Sequence, residues 1–86
     1  MDLIKVSAKS IPKAVAGAIA AVIRGGASAE VQAVGAGATN QAVKSIAIAR
    51  TYLLEEQVEI VCIPSFAETE INGESRTAIQ FTVEKR

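Results

Sequence analysis

The first quarter of the chain changes from a strand pattern to a helix pattern. Apolar and polar side chains alternate over Asp2–Ser7, which predicts a first strand ending near Ala8. Pro12 predicts the first turn of a helix over residues 12–24, because the missing N–H of proline costs nothing there. Its apolar stripe recurs at intervals of three and four residues: Val15, Ala18, Ile19, Val22 and Ile23. Gly25–Gly26 is expected to end this helix.

The second quarter repeats that change. A strand over about residues 30–34 leads into the small-residue segment Gly35–Asn40, where Thr39 or Asn40 is expected to cap the next helix. The spacing predicts that helix over about residues 41–54, with two apolar surfaces. The surface expected to cover the sheet holds Val43, Ile46, Ala49, Arg50 and Leu53. The other holds Ile48 and Tyr52, which are left partly exposed or packed against another molecule.

The last third of the chain predicts a hairpin. Asn72–Gly73 suits a two-residue type I′ turn, because both residues tolerate positive φ. This turn places Ile71 opposite Glu74. Continuing the register sets three apolar pairs opposite each other: Phe66 with Ile79, Pro64 with Phe81, and Cys62 with Val83. A slip of one residue would lose all three, so the pattern specifies the pairing. Cys62 is therefore expected on the core side as a buried, unreactive thiol.

The predicted order is β-α-β-α-β-β, in a single domain over residues 1–86. Right-handed crossovers bring the first three strands into a largely parallel arrangement, and the fourth returns antiparallel through the hairpin. Two helices and one alternating sheet favour an α+β two-layer sandwich with a mixed four-stranded sheet. A hairpin around residues 66–79 is expected to project from it.

Composition narrows the function classes. The chain has 86 residues, no histidine and one cysteine, and half of it is apolar. These counts exclude a disordered chain, an internal disulfide, a catalytic triad with histidine and a typical one-chain zinc site. We therefore expect a non-enzymatic protein with no cofactor or metal. No stretch is apolar enough to span a bilayer, and the opening Met1–Leu3 lacks a basic signal region, so a cytoplasmic location is expected.

Charge is balanced overall but unevenly placed. Residues 1–54 hold six basic and two acidic side chains, net +4, whereas residues 55–86 hold three basic and seven acidic ones, net −4. Lys9 and Lys13 flank the start of the first helix, where, with Ser10, they could hold backbone phosphate. The alternative is an ordinary capped and solvated helix entrance.

Two other segments have both a functional and a structural interpretation. Gly35–Asn40 lies between a strand and a helix, as phosphate-binding turns do, but it lacks the P-loop lysine, and tight-turn architecture is favoured. Glu68 and Glu70 share a strand face near Arg76. An arginine there could enter a minor groove, whereas the acidic side chains favour a solvated hairpin or a protein-contact arm. General acid/base chemistry by the two glutamates is the weakest interpretation.

Long segments of the chain closely resemble the bacterial stage V sporulation protein S family. The resemblance rests on Lys5–Ala20, Val31–Arg50, Val61–Phe66 and Ile71–Ile79, with the runs VGAGATNQAV, VCIPSF and INGESRTAI. It covers nearly the whole chain and implies a regulator of sporulation or cell division. More distantly, the element order and the glycine turn before an Ala/Val helix resemble the Alba chromatin proteins, which bind nucleic acid as dimers.

The Alba-like resemblance implies particular binding residues. They lie in the loop before the first helix (Lys9, Ser10 and Lys13), at the second helix start (Gly37, Thr39 and Asn40) and on the hairpin (Arg76). It also implies dimerisation through the second helix and adjoining strands. The apolar residues that exceed what one helix-covered sheet face can bury indicate the same: Ile48, Tyr52, Val61 and Ile63.

The leading hypothesis is therefore a homodimeric or larger regulator that contacts DNA or RNA phosphates. One alternative is a protein-interaction module that binds another sporulation or division protein through the acidic hairpin and second helix. A third is a small-anion receptor built from the Gly37–Asn40 turn.

Overall fold

The computed structural model describes residues 2–86, and its elements follow the predicted order. The strands are β1 (Asp2–Val6), β2 (Ala29–Ala33), β3 (Ile60–Ile71) and β4 (Glu74–Lys85). The helices are α1 (Pro12–Arg24) and α2 (Ala36–Leu54). The α+β fold with two helices and a mixed four-stranded sheet is confirmed.

The strand order in the sheet is β1-β2-β4-β3. β1 and β2 are parallel, and β4 is antiparallel to both of its neighbours, β2 and β3. The first three strands therefore run in one direction, as predicted, but β4 lies between the second and the third. β3 is consequently an edge strand. It contains Pro64, and an edge is where a sheet tolerates a residue without an N–H.

The hairpin register is confirmed at every predicted pair. Ile71 lies opposite Glu74, and Phe66, Pro64 and Cys62 lie opposite their predicted apolar partners on β4. Asn72 and Gly73 have φ values of 51° and 80°, which is the left-handed backbone of the expected turn. β2 ends at Ala33, opposite Ile79, so residues 67–78 of the hairpin extend past the end of β2. Residues 66–79 are hereafter called the arm.

The core lies between the two helices and one face of the sheet. Its largest fully buried apolar side chains are Ile19, Ile23, Leu53, Val31 and Val83. Both helices pack on β1 and β2, and α1 also reaches β4, whereas neither packs extensively on β3. One sheet face and the edge strand are therefore left outside the helix layer.

α2 begins five residues before the predicted start and buries a different stripe. The buried side chains along it are Ala38, Ala42, Ser45, Ala49 and Leu53. Val43, expected to cover the sheet, is 49% exposed, and Arg50 is exposed as well. The reason is that small side chains let α2 approach α1 and the sheet closely, so the larger Val43 lies outside the contact.

The prediction of a buried Cys62 is wrong, although its pairing is right. Cys62 lies opposite Val83, which is fully buried, so it is on the core side of the sheet. It is nevertheless exposed, because the helices stop short of the edge strand. The same holds for Phe66, which is 79% exposed.

Within residues 2–86, neither helix combines the length and apolar character that a membrane crossing requires.

Candidate nucleic-acid interface

The loop between β1 and α1 is held in shape by its own serines. The Ser7 N–H donates to Ser10 Oγ at 2.9 Å, and the Ser10 N–H donates back to the Ser7 carbonyl at 3.1 Å. The Lys9 N–H donates to Ser7 Oγ at 3.2 Å. Ser10 is therefore a structural residue of this loop, and Lys9 is presented on a fixed turn with its side chain exposed.

The first turns of α2 pack directly against that loop. A Cβ added to Gly37 would lie 3.1 Å from Ala8 Cβ, tighter than nine in ten real Cβ contacts. Gln41 Nε2 donates to the Ser10 carbonyl at 3.1 Å and approaches the Ala8 carbonyl at 3.4 Å. The predicted loop and helix-start residues are thus brought together, with Gly37 acting through close packing.

Thr39 and Asn40 do not cap α2, because the helix starts before them. Its N-cap is Gly35, with φ 88°, a conformation that side chains disfavour. Thr39 Oγ1 donates to the Gly35 carbonyl at 2.7 Å, within the first turn. Asn40 is exposed one residue further along. The glycine segment is therefore the first turn of a helix, where we had expected a loop.

Lys13 lines a hollow together with Lys44, a lysine that the sequence analysis did not assign to the site. Lys13 and Lys44 line one open hollow of about 540 Å³ between α1 and α2, together with Ile11, Pro12, Ala47 and Ile48. We call it the helix hollow. At the α1 N-terminus, Pro12 has no N–H, and Ala14 and Val15 both donate to the Ile11 carbonyl. Anion binding here would therefore depend mainly on the lysine side chains.

The helix layer has no acidic side chains. Neither α1 nor α2 contains an Asp or Glu. In the part of the chain that the structure describes, the ion pairs join Arg24 to Glu56 and Arg86 to Glu59. Lys9, Lys13, Lys44 and Arg76 thus have no carboxylate within ion-pair distance over residues 2–86. The charged side chains of α1 and α2 are therefore all basic.

Arg76 lies on the arm, on the opposite face from two of its three carboxylates. It pairs with Thr69, whereas Glu68 and Glu70 pair with Thr77 and Ser75. Since successive strand residues point to opposite faces, Glu68 and Glu70 point away from Arg76, and only Glu74 shares its face. The carboxylate of Glu68 accepts from Ser75 Oγ at 3.0 Å and from Thr77 Oγ1 at 3.3 Å, so local hydroxyls hold it.

The arm also borders the carboxyl ends of the parallel strands. Thr69, Glu70 and Ile71 line a crevice of about 230 Å³ with Lys5–Ala8 of β1 and its loop. Gln32 from β2, Val34 just after β2 and Ala38 from α2 complete it. Ligands of α/β sheets commonly bind at such strand ends. The arm, the basic loop and the α2 start therefore lie at one end of the molecule.

The family is decided by comparison with known proteins. The model of the stage V sporulation protein S (SpoVS) family matches residues 2–86. The chain belongs to the SpoVS family. It is therefore a sporulation-associated protein, and the geometry above is that of a SpoVS domain.

The oligomer residues predicted for this SpoVS protein fall on two surfaces. Ile48 and Tyr52 are half-buried on α2, in the helix layer. Val61 and Ile63 pair with Glu84 and Thr82, so they face the uncovered side of the sheet, where Ile63 is 54% exposed. The four residues therefore lie on opposite sides of the sheet, and their role in an oligomer stays a prediction.

The uncovered sheet face of the SpoVS chain carries a polar network that the sequence interpretation missed. Glu30 is 7% exposed and accepts from Gln80 Nε2 at 2.7 Å and from Thr82 Oγ1 at 2.9 Å. Gln32 Nε2 donates to Gln80 Oε1 at 2.7 Å. Alternation along β2 could have placed Glu30 and Gln32 on this face. Their partners on β4 could not be predicted, because the sequence analysis did not place β4 beside β2. Among residues 2–86, no three His, Cys, Asp or Glu side chains form a group suited to a metal ion.

Proposed function

We propose that this SpoVS chain is a non-enzymatic sporulation regulator that binds the backbone phosphates of nucleic acid as a homodimer or larger homo-oligomer. The observation that carries the proposal is the cation distribution. Lys13 and Lys44 line one hollow, Lys9 lies in the loop leading into it, and the helices beside them contain no acidic residue. Unpaired lysines on a fixed loop suit contact with phosphate, which needs charge and no base reading.

Arg76 supports the proposal from the arm. The β3 carboxylates Glu68 and Glu70 are on the opposite arm face, so they do not screen it directly, and only Glu74 shares its face. The arm projects beyond β2, which gives this arginine reach. The loop and the arm lie at the same end of the molecule, so their cations would contact the phosphates of one polyanion from two sides.

Assembly is needed because one chain offers few unpaired cations at this end. A two-fold pair doubles their number and sets them at a fixed spacing. If a dimer neutralises about four phosphates, raising salt from about 50 to about 200 mM weakens binding by about 10².

The test is a binding titration against duplex DNA and single-stranded RNA at several salt concentrations. We expect log affinity to fall linearly with log salt, with a slope near the number of phosphates contacted. Absent binding, or binding that salt does not change, contradicts the proposal. Comparing the two polymers also decides between duplex DNA and single-stranded RNA as the preferred ligand.

The second candidate function is a protein-interaction module that binds another sporulation or division protein. It is favoured by the other arm face, where Phe66 is 79% exposed beside Glu68 and Glu70. This function predicts a partner recovered by affinity capture after nuclease treatment, with no retardation of DNA or RNA in a gel. Loss of the partner on nuclease treatment would instead favour nucleic acid.

A further inference from the structure

The helix hollow is lined by apolar side chains and by two lysines. Ile11 is 68% exposed there, beside Pro12 and Ile48, and the charged side chains of the hollow are Lys13 and Lys44. Phosphate alone gains nothing from an exposed isoleucine. A surface with this composition suits an apolar segment that also carries carboxylates.

The arm has the matching composition. Phe66, Glu68 and Glu70 succeed one another along one face of β3, because they are two residues apart. Phe66 is almost fully exposed, and hydroxyls of Ser75 and Thr77 orient the carboxylate of Glu68. One arm face is therefore an aromatic side chain followed by two acidic ones.

Neither surface is covered within the chain. The exposed fractions of Ile11 and Phe66 show that the arm does not fold onto its own hollow. The chain nevertheless carries no net charge, because a basic half balances an acidic half. Complementary surfaces that remain apart in one copy can meet between two copies.

We infer that two copies of this chain exchange arms, each placing Phe66 in the partner's helix hollow and Glu68 and Glu70 against lysines of that hollow. A two-fold axis makes both contacts equivalent, so each arm is bound once and no surface is left over to extend a fibre. This assembly does not depend on the proposed function. Where both hold, Lys13 and Lys44 face the partner's arm, and Lys9, outside the hollow, and Arg76, on the free arm face, remain for nucleic acid in each copy.

The test uses charge reversal on each side of the contact, with nuclease-treated protein in sedimentation velocity at low salt. The arm variant is Glu68→Lys with Glu70→Lys, and the hollow variant is Lys13→Glu with Lys44→Glu. Each alone opposes like charges, and we expect the dimer dissociation constant to rise at least about tenfold. An equimolar mixture of the two restores attraction at both contacts, so it re-forms a dimer.

Two controls separate this contact from general charge and folding effects. Glu55→Lys with Glu74→Lys makes the same charge change away from the contacting face, and it should leave dimerisation unchanged. Phe66→Ser removes the exposed ring; it should weaken dimerisation, while the urea midpoint of unfolding stays that of the parent at a protein concentration where both are monomeric.

Three results would overturn the inference: a monomeric parent at micromolar concentration, single variants that dimerise like the parent, or a mixture that stays monomeric. If the hollow variant loses nucleic-acid binding and keeps dimerising, the hollow belongs to nucleic acid, and the arm exchange is wrong. If dimerisation behaves as expected but no nucleic acid binds, only the proposed function fails.

Discussion

Ala8 and Gly37 are in such close contact that a single methyl group on Gly37 would lie 3.1 Å from Ala8 Cβ. This contact joins the basic loop to the first turn of α2, and the Gln41 amide reinforces it one turn later. The position of Lys9 therefore depends on a small residue in another element.

The first prediction concerns that contact. Gly37→Ala should gain about 1 kcal/mol of helix propensity, but the added methyl group crowds Ala8. In an Ala8→Gly background the crowding is absent, so the same substitution should be more stabilising by about 1 kcal/mol. Urea unfolding of the parent, both single variants and the double variant measures this difference. Additive effects would show that the two residues are not coupled.

Gln41 should contribute more to the stability of the fold than Asn40, its neighbour on the helix surface. Gln41→Ala removes the side-chain donor to the Ser10 carbonyl, and we expect a loss of about 1 kcal/mol in unfolding free energy. Asn40→Ala is the matched control, because Asn40 is exposed in the same helix turn. Thermal unfolding of both variants makes the comparison. Equal stability would mean that the amide does not hold the loop.

The salt dependence of nucleic-acid binding should identify the contacting cations. Lys9→Gln and Arg76→Gln should each lower the slope of log affinity against log salt by about 1 for every phosphate contact removed. Lys85→Gln is the control, because it removes the same charge from the opposite end of β4. A slope that falls equally in all three variants would indicate a general charge effect and not a site.

Glu30 should be the most sensitive carboxylate for stability. Glu30→Ala removes the one carboxylate oxygen to which Gln80 and Thr82 both donate, so both hydrogen bonds are lost. We expect about 1.5–3 kcal/mol lower unfolding free energy, the range for hydrogen bonds to charged groups. Glu84→Ala, on the same sheet face, should change stability by less than about 0.5 kcal/mol. Denaturation at neutral pH checks both, and similar losses would contradict the assignment.

The Arg24–Glu56 pair should make a small contribution to folding stability that is lost in acid. The hydrogen bond that Arg24 donates to Glu56 lowers the pKa of Glu56 and raises the pKa of Arg24. Because the carboxylate pKa is lowered on folding, its stabilisation is present above the unfolded pKa of glutamate and is lost as pH falls through the folded pKa. Glu56→Gln should therefore be less stable than the parent at neutral pH, and the difference should vanish in acid. Glu55→Gln should show no such convergence in melting temperature.

The hairpin could be predicted in full because its signals are local. Asn72–Gly73 fixes the turn, and the apolar positions on either side allow one register only. The start of α1 could likewise be predicted from Pro12. In both places the residues that decide the structure are neighbours in sequence, so no tertiary information was needed.

The errors arise where packing between distant elements decides. α2 starts at Ala36 because Gly35 takes a left-handed conformation and small side chains allow close packing on α1 and the loop. Cys62 is exposed because β4 lies between β2 and β3, which moves β3 beyond the helices. Alternation correctly assigns a side chain to a sheet face, but it does not show how far the helices extend over that face.

The residues of the candidate site also divide into those that are close in sequence and those that only packing brings together. Lys9, Ser10 and Lys13 could be grouped from sequence because they are consecutive around one helix start. Lys44 could not, since it joins Lys13 only through the packing of α2 against α1. The absence of acidic residues from both helices was the available sequence signal for a basic helix layer.

Pro64 in the edge strand limits how copies of this protein can aggregate. A strand from another molecule added alongside β3 would meet a position with no N–H to donate midway along its length. The opposite edge, β1, is only five residues long. Open-ended growth by sheet extension is thus interrupted at one edge and has only a short template at the other, which disfavours polymerisation through the backbone of a chain with an exposed aromatic arm.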